Sequence, residues 1–168
     1  MNKKVLILGG YGNFGWRIAQ QLVKANIPVI ICGRDKMKAD ALATKINALT
    51  STKLCEVACF DAKQELATHL ESLCPTVVIN TCGPFQGSKY DVAETCIDQG
   101  IAYIDLADGR EFVAGIDCLD QKAKQADTFV VSGASSVPCL TSALVDYYRG
   151  KFKALECLEY GITTAQKT

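Results

Sequence analysis

The sequence predicts an α/β fold, a doubly wound parallel sheet with helices on both faces, and three observations carry that expectation. Short runs rich in Val and Ile alternate along the chain with longer segments of helical spacing, the pattern expected when strands buried on both faces are joined by crossover helices. A glycine-rich turn, Gly10-Tyr11-Gly12-Asn13-Phe14-Gly15, directly follows the first apolar run and opens the first helical stretch. Six strand candidates can be counted, the number a full Rossmann-type sheet requires.

In order, strands are expected at residues 5–8, 29–32, 55–60, 77–80, 102–106 and 128–132, and helices at 14–25, 37–49, 63–73, 89–99 and 111–125. Each crossover is long enough to be helical and right-handed. Residues 154–162 read as one more strand, with only six residues after it. A lone strand cannot make a sheet, so the expectation is a chain cut from a longer one: residues 1–150 as one domain, and 151–168 as the start of a second.

Composition narrows the partners. A 168-residue chain with 49% hydrophobic residues can bury a substantial core. Lys plus Arg and Asp plus Glu both number 18, so no net field favours nucleic acid or an anionic membrane, and a small-molecule partner is expected. The nine cysteines are scattered through apolar stretches without a C-x-x-C pair. That suits reduced core residues in the cytoplasm, with no metal site. Met1-Asn2-Lys3-Lys4 is basic, but only four apolar residues follow before Gly9, too few for a secretory h-region, and no later apolar run is long enough to span a bilayer.

The glycine turn matches G-x-G-x-x-G in its required strand-turn-helix setting. Gly10 would allow the tight turn, Gly12 the close approach of a pyrophosphate, and Gly15 the packing of helix on strand. Tyr11, Asn13 and Phe14 complete the cofactor-binding stretch, because the helix beginning near Phe14 would receive the anion on its free amides. Gly9, Gly12 and Gly15 also form G-x-x-G-x-x-G, the spacing of short-chain dehydrogenases, so the turn alone does not choose a family. At the end of the second strand, Ile31-Cys32-Gly33-Arg34-Asp35, no carboxylate stands where one would bind the ribose of NAD. Arg34 could instead form paired bonds to a 2′-phosphate. NADP is therefore expected over NAD. The competing reading is a solvated Arg34 with Asp35 as a helix cap.

With this turn, Gly33-Arg34, Val78-Ile79-Asn80 leading into Gly83-Pro84-Phe85, Ala93 to Gly100 with Tyr103-Ile104-Asp105, and Ser132-Gly133-Ala134 with Pro138, the chain resembles the saccharopine dehydrogenase-like oxidoreductases over nearly its whole length. The resemblance implies an amino-terminal NAD(P)-binding domain followed by a mostly β domain carrying the substrate site. It also implies hydride transfer between a nicotinamide cofactor and imine or amine linkages of amino acids or polyamines. Asp61 resembles the family's adenine-side residue; it could equally cap the next helix. Thr81, Cys82, Gly83 and Pro84 follow the fourth strand, where strand order reverses and ligands bind in open α/β sheets. They are expected to border the nicotinamide ribose and ring, against the alternative of an ordinary Gly-Pro crossover turn.

No catalytic residue is assigned, since the groups that would contact substrate are expected in the missing part, and the fragment alone is expected to be inactive. His69 lies mid-helix among leucines and reads as structural. Asp105 and Asp108 could face substrate or cap a helix. Cys82 has no histidine nearby in sequence to activate it. Two other functions stay open. One is a short-chain dehydrogenase using Tyr147 and Lys151, with Ser135 upstream. Against it stand the additional strand at 102–106 and Gly150, which would break the helix presenting that pair. The other is an NADP-sensing domain without hydride transfer. An unpaired terminal strand also leaves a homo-oligomer open.

Overall fold

The computed structural model describes residues 3–161. Six strands, β1 (Val5–Leu8), β2 (Val29–Gly33), β3 (Cys55–Cys59), β4 (Val77–Asn80), β5 (Ala102–Asp105) and β6 (Val130–Val131), form one sheet in the order β3-β2-β1-β4-β5-β6. All five pairings are parallel, and Val5 of β1 stands opposite Val29 on one side and Val77 on the other. The chain reverses direction of travel across the sheet between β1 and β4, which opens a crevice at their carboxyl ends.

All four residues of β1 are buried, and the period-2 alternation of a strand divides them between two cores. Val5 and Ile7 join Val29 and Ile31 under Ala19 and Val23 of α1 (Gly15–Lys24) and Ala39, Ala43 and Ile46 of α2 (Lys36–Asn47). Leu6 and Leu8 join Ile30, Cys32, Val78 and Tyr103 on the other face. That face is covered by Leu66 and Leu70 of α3 (Leu66–Leu73) and by Ala93, Cys96 and Ile97 of α4 (Asp91–Asp98). Burying each such side chain contributes about 1.5 to 3 kcal/mol. A third, smaller cluster packs Phe85 and Ala107 on Phe112 of α5 (Arg110–Gly115), with the Phe85 and Phe112 rings 5.4 Å apart.

Several boundaries differ from expectation for local reasons. The third strand stops at Cys59, and Phe60 turns out to stack on His69 at 4.0 Å, which accounts for that histidine as a packing residue. The next helix begins at Leu66 instead of 63, because Asp61 folds the intervening residues into a turn: its carboxylate accepts the Lys63 amide (3.0 Å) and its carbonyl the Gln64 amide (2.9 Å). Asp61 is thus a turn residue and not the cap of α3, whose N-cap position is Glu65. The expected helix over 111–125 is broken into α5, a 3₁₀ turn Ile116–Leu119 and α6 (Asp120–Gln125). The break falls at Gly115, a poor helix former; a Cβ there would meet the Tyr90 hydroxyl at 2.6 Å.

The sixth strand keeps only two residues, since Ser132 and Gly133 leave the ladder to bond Asp105. Beyond it lie α7 (Thr141–Tyr148) and a 3₁₀ turn Arg149–Lys151. The strand expected at 154–162 does not form across the described residues up to 161, where the chain finds no sheet edge to pair with; Ile162 lies outside the described residues. No helix among them is long and apolar enough to cross a membrane.

Candidate dinucleotide-binding cleft

The turn after β1 is shaped by Gly9 as much as by the three glycines of the motif. Gly9 has φ +74°, so the left-handed residue of the turn lies one position before Gly10, where sequence reading placed it. Gly10 is small for a different reason. Its amide bonds the Cys32 carbonyl at 2.8 Å, and a Cβ would strike Ile31 of the adjacent strand at 2.7 Å. Gly15 is buried, and a Cβ there would collide with the Gly9 carbonyl, so α1 can approach the turn only with glycine at this position. Gly12 is exposed, and its Cβ position would meet only the Gly9 carbonyl, at 3.1 Å, leaving the backbone open on the cleft side.

The amino end of α1 is uncapped: Phe14 stands at the N-cap position and no side chain bonds the first turn. Among the described residues, the amides of Asn13, Phe14 and Gly15 find no intramolecular acceptor. Three unpaired N–H groups and the positive end of a helix dipole then converge beside a backbone bare of side chains. By contrast α2 is capped by Asp35, whose carboxylate accepts the Lys38 amide at 3.1 Å. Asp35 therefore takes the capping role and leaves Arg34, just before it, exposed at the end of β2.

A cleft of about 380 Å³ opens at these strand ends. Of the residues singled out in the sequence, Tyr11, Gly12, Arg34, Asp61, Thr81, Cys82 and Gly83 line it. Gly10 and Gly15 lie beneath it as packing residues, while Asn13 and Phe14 belong through their amides. Pro84 lines an adjoining cavity of about 700 Å³ instead. Two of the lining residues brace the walls. The Tyr11 hydroxyl accepts the Asp35 amide at 2.9 Å, and its ring fills the space a Cβ on Gly33 would need. Thr81 donates its hydroxyl to the Leu8 carbonyl at 2.8 Å, tying the loop after β4 to the end of β1. Lys63 and Phe60 also line the cleft and were missed, because both were read as parts of regular elements. Gly9 was read only as the first glycine of the alternative G-x-x-G-x-x-G spacing, and its left-handed role in the turn was assigned to Gly10.

The Cys82 sulfur lies close to Gly9, and burial holds its thiol above the usual range. The Asp61 carboxylate adds to that shift, while Arg34 and Lys63 oppose it. A thiol held protonated is the poorer nucleophile, and Cys82 lines the cleft.

Below the loop lie buried polar side chains of β4 and β5, of which Asn80 holds the loop directly. Asn80 accepts the Cys82 amide (3.0 Å) and donates to the Tyr103 hydroxyl (3.1 Å). Asp105 is fully buried, and its Oδ1 accepts from Ala107, Ser132 and Gly133 at 2.9 to 3.0 Å, while Oδ2 has no partner. Burial and the neighbouring Asp105 carboxylate push the Tyr103 phenol well above its ordinary range. Asp105 therefore joins β5 to the segment after β6 and caps no helix. Asp108 is on the surface, accepting from Gln86 at 3.0 Å.

Tyr147 and Lys151 are not brought together as a catalytic pair. Tyr147 is 77% exposed with its ring edge-on to Tyr148, and the Lys151 ammonium lies 5.1 Å from the Tyr148 ring centre.

Three solved structures that share this fold hold nicotinamide dinucleotides. A short-chain dehydrogenase from Sphingobium yanoikuyae in complex with NADPH matches with a TM-score of 0.54 at 14% identity, over 88% of this chain and 85% of that one. Leucoanthocyanidin reductase from Vitis vinifera, in a binary complex with NADPH, matches at 0.54 and 15%, over 76% and 48%. Quinate dehydrogenase from Corynebacterium glutamicum in complex with NAD matches at 0.53 and 17%, over 89% and 49%, so this chain spans about half the length of the last two. At such identities the likeness is one of fold. Among curated proteins, none matches the chain. The sequence pattern of the saccharopine dehydrogenase NADP binding domain matches residues 5–135, and the chain belongs to that family.

Proposed function

We propose that the chain binds NADP(H) across the carboxyl ends of β1, β2 and β4 and serves as the cofactor domain of an oxidoreductase. The observation that carries this reading is the uncapped start of α1, where the amides of Asn13, Phe14 and Gly15 stand free beside the bare backbone of Gly12. A pyrophosphate satisfies such donors, and a Cβ at Gly12 would intrude on it. The cleft residues then divide the remaining work. Arg34 holds a 2′-phosphate and Asp61 faces the adenosine. The loop from Thr81 to Pro84, held by Asn80, fixes the position of the nicotinamide-side ribose. When bound, the cofactor supplies a hydride.

Resemblance to the family supports an amino-acid- or polyamine-type imine or amine as the substrate, with the groups that contact it outside residues 1–150. The large apolar side chains exposed between Leu140 and Tyr160 support a boundary near residue 150, because a surface of that kind is usually covered by another part of the protein. The nine free cysteines favour a reducing compartment such as the cytoplasm.

Calorimetric titration with NADPH and NADH tests the reading. The wild type binds NADPH more tightly than NADH, and Gly12→Ala weakens both without unfolding the chain. Arg34→Ala removes charge-assisted bonds worth about 1.5 to 3 kcal/mol, so NADPH affinity falls roughly ten- to a hundredfold and NADH affinity far less. Equal losses for the two cofactors would refute the NADP preference. Absence of heat with either would remove the whole reading.

A further inference from the structure

Arg34 is not alone at its end of the cleft. β2 and β3 run in register to their ends, with Gly33 opposite Cys59, so the loops that leave them rise side by side. One carries Arg34 and the other Lys63, and both line the same cleft. The second loop is fixed, since the Asp61 carboxylate holds the Lys63 amide at 3.0 Å and the Asp61 carbonyl holds that of Gln64. Among the described residues, Lys4, Lys36, Lys38, Lys122 and Lys124 each sit within 3.3 Å of a carboxylate, but neither Arg34 nor Lys63 forms an ion pair. Although the Asp61 carboxylate lines the same cleft, it pairs with neither cation, and two unpaired cations side by side make a position that a polyvalent anion would occupy favourably.

We infer that Lys63 is a second reader of the cofactor's 2′-phosphate, so that discrimination between NADP and NAD is shared by the loops after β2 and β3. The inference rests on the proposed NADP site. A phosphate monoester carries about −1.5 to −2 charges near neutral pH. One guanidinium leaves part of that charge uncompensated, and an ammonium on a flexible stem can supply the rest as a point charge, while Arg34 gives the directional pair of bonds.

The test uses the full chain and four probes: NADPH, NADH, adenosine 2′,5′-bisphosphate and adenosine 5′-monophosphate, titrated by calorimetry. Lys63→Gln should weaken both 2′-phosphorylated probes about tenfold while leaving NADH and the monophosphate unchanged. Lys63→Arg should restore most of the loss. Raising the ionic strength should weaken NADPH binding less in Lys63→Gln than in the wild type. Lys63 is exposed, so the variant is expected to keep its fold, as circular dichroism would check. An equal loss for all four probes would mean that Lys63 covers the adenine and would overturn the inference, as would no loss at all. Either result leaves the cofactor site standing if the wild type binds NADPH. A wild type that binds none of the probes overturns both.

Discussion

Leu6 in β1 is 0% exposed and Leu158 is 54% exposed, although both lie in apolar stretches of the sequence. The contrast holds for whole regions. Up to Gly133 the apolar side chains interdigitate from sheet and helices into two cores, whereas from residue 134 to 161 no side chain is buried. Yet the second region is not polar. Leu140, Leu144, Tyr147, Tyr148, Phe152, Leu155, Leu158 and Tyr160 are all exposed there. Apolar residues make a core only where a second face meets them, and the sheet offers that face to α1 through α4 but not to α7 or to the chain beyond it.

The largest effect that could break this contrast is a paired truncation. Leu6→Ala should cost about 3 to 4 kcal/mol of stability, the range for emptying a closed core site. Leu158→Ala should change it by less than about 0.5 kcal/mol, because an exposed side chain has little transfer energy to lose. Urea unfolding of both variants reads the difference. Comparable costs would mean that the carboxyl-terminal region is packed in solution and that the contrast is wrong.

The hinge between the regions is Asp105. Its Oδ1 gathers Ser132 and Gly133, and its carbonyl accepts the Ala134 amide at 2.9 Å, so it fixes the last residues before the exposed segment. Asp105→Ala would strand these donors in a buried site and should cost about 2 to 3 kcal/mol. Asp105→Asn keeps an acceptor oxygen and should cost less. Hydrogen exchange sharpens the comparison: amide protection at Gly133 and Ala134 should fall in Asp105→Ala before protection in β1 does. Uniform loss across the sheet would show that Asp105 supports the whole fold and not the junction alone.

How much of this was legible in the sequence follows the same division. β1, β2 and β4 were placed to within a residue because strands covered on both faces read as unbroken apolar runs. The reversal of strand order at the fourth strand followed from the Rossmann-type pattern of glycine turn and crossovers. Boundaries failed where a side chain intervened: Asp61 winding the turn that delays α3, Tyr90 reaching into the space at Gly115, and Asp105 drawing Ser132 out of β6. None of these contacts is local in sequence except the first. Within the cleft, the motif residues were found by pattern, but their division of labour was not. Phe85, in one of the stretches that carry the family resemblance, proves to be a buried packing residue against Phe112, and Lys63 was hidden inside a helix that starts later than periodicity suggests. A strand was expected at 154–162 because apolar spacing alone cannot say whether a pairing edge exists.

The smallest effect concerns the thiols. Burial pushes Cys32 and Cys96 up to about 12 and Cys55 up to about 11, and all three belong to the cores, while Cys139 and Cys157 lie exposed in the other region. The folded-state values are raised, so the folded chain keeps these protons at a pH where the unfolded chain releases them. The stabilisation they give is complete below about pH 9 and is lost as pH climbs through 9 toward 12. Each thiol should contribute a slope approaching 1.4 kcal/mol per pH unit in that window. Cys96→Ala should make the decline between pH 9 and 10.5 shallower than in the wild type. If the variant declines as the wild type does, the thiol of Cys96 is solvated in the folded chain and the line drawn between the two regions lies in the wrong place.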